Sequence, residues 1–151
     1  MTCLRIADRK NNCLSFDMRD ILKELEDIGP NLDWYILDVE GQGLPNADTS
    51  IMKLERDISA QKAIVLTWKQ LRHLADQIFQ TNNCIVVGIS PGQDPPRLPL
   101  DDKYSRESVV IIAFDSSFWT VCVQQSDIIK RLEQAFRDTV IVDRAEPNYS
   151  G

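Results

Sequence analysis

The sequence holds one histidine, His73, among 151 residues. A multi-histidine metal centre is excluded by that count, and histidine-based catalysis has only this residue to draw on. His73 lies about 200° round a helix from Leu71 at ~3.6 residues per turn, on the polar face. It reads as a surface residue.

The four cysteines, Cys3, Cys13, Cys84 and Cys122, show no C-x-x-C spacing. Neither a zinc knuckle nor a thioredoxin-like redox pair is indicated. Cys84 and Cys122 stand in apolar runs and read as small buried hydrophobes. No G-x-x-x-x-G-K-[ST] loop and no G-x-S-x-G elbow occur. The "GQG" of Gly41 to Gly43 is followed by Leu44-Pro45-Asn46, which lacks the third glycine of a dinucleotide fingerprint and puts proline where the helix should start.

Basic charge is also short. Lysine plus arginine total 17 against 23 acids, a net charge of -6. Nucleic-acid binding through a basic face, or docking on anionic lipid, is disfavoured. No run approaches the ~20 apolar residues of a membrane span. The N-terminus "MTCLRIADRKNN" lacks the apolar core of a signal peptide. The expectation is a cytoplasmic protein without cofactor or metal. Neither an internal repeat nor a heptad pattern is present.

What is present reads as a single α/β domain over residues 1–151, a usual length for one core. Asp17 caps a helix in which Met18, Ile21, Leu22, Leu25 and Ile28 share a face, and Gly29-Pro30 ends it. Thr67 and Gln70 form a capping box for a second helix, with Trp68, Leu71, Leu74, Ala75, Ile78 and Phe79 as its buried face. A third starts at Ser126-Asp127 and buries Ile128, Ile129, Leu132, Ala135 and Phe136. The charged span from Asp48 to Gln61 fits a further helix. Strands are expected at "CLRIA", "DWYILDV", "AIVL", "CIVVGI", "SVVIIAF", "FWTVCV" and "TVIVD". "CIVVGI" and "SVVIIAF" are apolar at nearly every position, as in strands covered on both faces. The pattern predicts a mixed β-sheet with three to four helices on its faces. A hairpin turning at Ser116-Ser117 comes late, followed by a helix and a final strand. The tail, residues 144–151, reads as frayed.

Between two of these strands lies "SPGQDPPRLPLDDKYS", residues 90–105, with four of the seven prolines. As a domain linker it would leave too small a piece beyond it to hold a core. It reads as an intradomain loop, of a length uncommon without function or disorder.

Acid excess concentrates in residues 31–62 and in the proline-rich region. Asp38 and Glu40 are two apart, so they share a side if the strand continues. The leading reading is a small acidic binding protein, such as an immunity or inhibitor protein that neutralises a basic toxin or nuclease. Its candidate contacts are Asp33, Asp38, Glu40, Asp94, Asp101, Asp102, Tyr104 and Trp119. An exposed tryptophan next to Phe118 would make a good anchor. The alternatives are a structural or regulatory subunit, a small-molecule sensor with a pocket by "GQGLPN" or under the proline-rich loop, and a metal-dependent enzyme using Asp38 and Glu40.

Overall fold

A computed structural model describes residues 1–45, 51–100 and 107–143. Its strands are β1 (Thr2–Ile6), β2 (Arg9–Lys10), β3 (Cys13–Leu14), β4 (Asp33–Gly43), β5 (Ile64–Leu66), β6 (Ile78–Ile89), β7 (Val109–Phe114), β8 (Phe118–Val123) and β9 (Thr139–Val142). The helices are α1 (Met18–Leu22), α2 (Ile51–Gln61), α3 (Trp68–Gln77) and α4 (Ser126–Ala135). Seven strands form one sheet in the order β5-β4-β6-β7-β8-β1-β9. The protein is a single-domain α/β fold.

The sheet is antiparallel throughout, not mixed. Alternating helices and strands suggest parallel crossovers. Here the chain leaves β4 and, after α2, re-enters at the same end as β5. Through α3 the chain instead crosses from one side of β4 to the other, so β5 and β6 flank β4, both antiparallel to it and running in the same direction as each other.

Apolar side chains from all four helices join the first face of the sheet in one core, with Trp34 and Trp119 fully buried in it. The second cluster, on the other face, contains no helix residue: Cys3, Leu37, Ile85, Val87, Val110, Ile112 and Cys122 form it. The helices therefore lie on one face, not two. Leu100, from the proline-rich segment, packs on the second face, as do Met1 and Val142. Along that segment Pro96 is buried and its neighbours are exposed. The excursion thus supplies apolar cover to strands that carry β-branched residues on both sides.

Local chemistry shapes the helices as expected, with three departures, one being that Ala135, expected on the buried face of α4, is exposed. Asp17 and Asp20 close a capping box at α1, and Thr67 and Gln70 one at α3. The first helix, however, keeps α geometry only to Leu22 and tightens into a 3-10 turn over Lys23–Leu25. Met18, Ile21, Leu22 and Leu25 remain buried. The second helix stops at Gln77, so Ile78 and Phe79 begin β6. Ile78 is still buried, but Phe79 is 64% exposed. Periodicity alone placed Phe79 on the buried face; the change from helix to strand reverses its direction.

Cys122 is not a free hydrophobe. It stands directly opposite Cys3 across β8 and β1 and is disulfide-bonded to it. Cys84 is buried as a thiol, and Cys13 is exposed.

Candidate functional site

Strand β4 carries three of the six acidic residues singled out by sequence, Asp33, Asp38 and Glu40. Asp33 and Asp38 are five residues apart, which on a regular strand puts them on opposite faces. A bulge at Leu37 changes this: Ile36 pairs with Val86 and Asp38 with the next residue, Ile85. The extra residue shifts the alternation by one. Asp33, Tyr35, Asp38 and Glu40 consequently all stand on the second face.

Beside them, Val65 of β5 lies opposite Tyr35 and is 56% exposed. Asp38 is half-buried and Glu40 exposed. Burial raises the Asp38 carboxyl above its ordinary range, and the charge of Glu40 raises it further. Glu40 Oε1 accepts a 3.4 Å hydrogen bond from Asn83 Nδ2. The result is an acidic row flanked by Tyr35 and Val65, in which like charges are held on one strand face.

Of the other sequence candidates, Asp94 is exposed on the proline-rich segment. Asp101, Asp102 and Tyr104 lie outside the described residues. Trp119 is no surface anchor: it is fully buried, paired between Ile6 and Ala113 and facing Phe16 at 6.4 Å. Phe118 takes the opposite face, where the Arg5 guanidinium sits 4.5 Å above its ring. His73 is exposed on the polar face of α3. Among the described residues, no group of three or more metal-ligating side chains comes together.

A cleft of about 430 Å³ lies at the end of the sheet, between the β2–β3 hairpin and the start of β6. Cys13, Phe16, Arg19, Phe79, Gln80 and Ser116 are among its lining residues. Phe79 is exposed because it is itself a bulge: Gln42 pairs with Gln80, but Gly43 pairs with Ile78. Asp17 forms part of the floor, where its carboxylate accepts from Met18 N, Thr81 N and Thr81 Oγ1. Burial lifts its proton affinity, and those hydrogen bonds oppose the lift.

The two turns that contribute Asn12 and Ser116 to the cleft are unusual in their backbone. Asn11, Asn12, Asp115 and Ser116 all have positive φ. The β7–β8 turn lacks the glycine that such a turn prefers. It is held instead by β6: Asp115 N donates to Asn83 Oδ1, Ser116 N to Asn82 O, and Ser116 Oγ to Asn82 Oδ1. Arg9 links the two turns, donating to Asn12 O and to Ser117 O.

No family model, curated protein or solved structure matches this chain.

Function therefore rests on the two surfaces. The acidic row was half legible, since its residue types are visible but the bulge that gathers them is not. The cleft was not legible, because its lining comes from segments far apart in sequence. The one available signal was Asn82-Asn83 in line with the Asp115 turn.

Proposed function

We propose that this chain is a small acidic, non-enzymatic binding protein that engages a basic protein partner through the second face of β4. The observation that carries this reading is the bulge at Leu37, which collects Asp33, Asp38 and Glu40 beside Tyr35 and Val65. Two of these carboxylates destabilise each other when the protein is alone. A partner's arginine or lysine relieves that repulsion, and Tyr35 and Val65 add apolar area to the contact. Complementary charge also speeds encounter, a property suited to an immunity or inhibitor protein that must reach a basic toxin or nuclease quickly.

The test is recovery of partners from the native host at low and at high salt. The expected result is a basic protein retained at low salt and lost at high salt, and lost from an Asp38→Asn/Glu40→Gln variant even at low salt. Retention that is indifferent to salt and to both substitutions overturns the reading. Among the described residues no helix is long and apolar enough to cross a membrane. Cytoplasmic residence belongs to this reading, and it requires that Cys3–Cys122 tolerate the reducing thiol pool.

The cleft favours a second reading, a small-molecule sensor. Its lining strand residues Gln80 and Thr81 pair with Gln42 and Gly41, next to the segment where sequence suggested a pocket. A ligand screen by thermal shift, repeated on Phe79→Ala, separates this reading from the first. Hits lost on Phe79→Ala but kept on the Asp38/Glu40 variant support the sensor.

A further inference from the structure

Among the described residues the sheet ends at β9, and no described strand lies against its outer edge. Edge strands are normally guarded by lysine, proline or a covering element. Thr139–Val142 has neither lysine nor proline, and it exposes Val140 by 53% and Ile141 by 52%. We propose that β9 pairs with β9 of a second copy, joining two sheets across a two-fold axis at Val140.

The direction of the backbone groups supports this register. Ala7 N donates to Asp138 O across the β1–β9 pair. Residues alternate along an antiparallel ladder, so Arg5 and Cys3 also turn their N–H and C=O groups towards β9. Cys3 is then in a non-hydrogen-bonded pair with Cys122 on its other side. The disulfide across that pair, with Cα atoms 4.0 Å apart, fits the closer spacing of such pairs. Val140 and Val142, opposite Arg5 and Cys3, spend their backbone groups on β1. Thr139 and Ile141 therefore aim theirs outward.

Antiparallel self-pairing centred on Val140 puts Thr139 of each copy opposite Ile141 of the other. Those residues hold the outward groups and exchange both backbone hydrogen bonds. Val140 meets Val140 of the second copy on the axis, in the non-hydrogen-bonded position where side chains approach most closely. Centring the axis between Val140 and Ile141 instead opposes Asp138 to Asp143, a like-charge pair, and mismatches the outward groups. The other edge, β5, is a less suitable partner: it has three residues and runs directly into α3.

Sedimentation velocity from low to high micromolar concentration tests the pairing. The wild type is expected to show a reversible monomer–dimer equilibrium. Val140→Lys places two lysines on the axis and should weaken association at least about tenfold. Ile141→Pro removes an outward N–H without touching the β1 ladder, so it should weaken association while circular dichroism stays native. A wild type that stays monomeric throughout, or a dimer that survives both Val140→Lys and Ile141→Pro, overturns the proposal.

Discussion

Burial lifts the Asp38 carboxyl, and Glu40, two residues on, lifts it further. The native protein thus holds the Asp38 proton more tightly than the unfolded chain does. Stability falls as pH rises from the ordinary carboxylate value of 3.8 through the raised native value. Asp38→Asn has no such loss. Its stability relative to wild type should grow across that window and stay constant above it, as read by urea unfolding at several pH values. A stability difference between variant and wild type that does not change across that window would contradict this. Trp119 behaves differently: Trp119→Ala should cost about 3–5 kcal/mol through the cavity it leaves. Equilibrium unfolding gives that value, and binding to a partner at matched folded fraction should be unchanged. The residue types of the acidic row were legible in sequence. Their common face was not, because a bulge depends on how β4 registers against β6.

Helix ends give the clearest tests one level up. Thr67 Oγ1 accepts from Gln70 N at 3.2 Å while Gln70 Oε1 accepts from Thr67 N at 2.9 Å. Thr67→Ala should cost about 1 kcal/mol. Lys62 closes α2 with φ of 69°, its N–H donating to Ile58 O at 2.7 Å. A side chain in that left-handed position is strained, so Lys62→Gly should stabilise by roughly 0.5–1 kcal/mol, with the dependence on denaturant unchanged. The capping boxes were legible because they depend on residues three apart. The end of α3 was not. "ADQIFQ" continues a helical pattern, but pairing with Gly43 draws Ile78 and the chain after it into β6. An exposed aromatic at the rim of a cleft results from that competition.

Across the whole molecule, the disulfide spans 119 residues of sequence and ties β1 to β8. Closing so long a loop should contribute about 4–5 kcal/mol on the chain-entropy account. Cys122→Ser, or reduction, should lower the denaturation midpoint accordingly. Maleimide labelling followed by mass measurement provides an independent check. Cys13 should label in the native protein, Cys84 only after denaturation, and Cys3 and Cys122 only after reduction as well. Burial also pushes the Cys84 thiol well above its ordinary range, which keeps it unreactive while folded. Labelling of all cysteines without reductant would remove the disulfide and, with it, the tension between that bond and a reducing compartment.

The sequence by itself determined the α/β class, the capped helix starts, the doubly buried central strands and the acidic surplus. Each of these follows from composition or from contacts a few residues apart. Tertiary structure alone decided that the sheet is antiparallel, that its helices gather on one face, and that a proline-rich segment contributes to covering the other. It also decided that Cys3 meets Cys122, that Trp119 is core, and that Asp33 and Asp38 share a side. These outcomes depend on strand order and register, which are set by packing among residues distant in sequence and leave no local pattern behind.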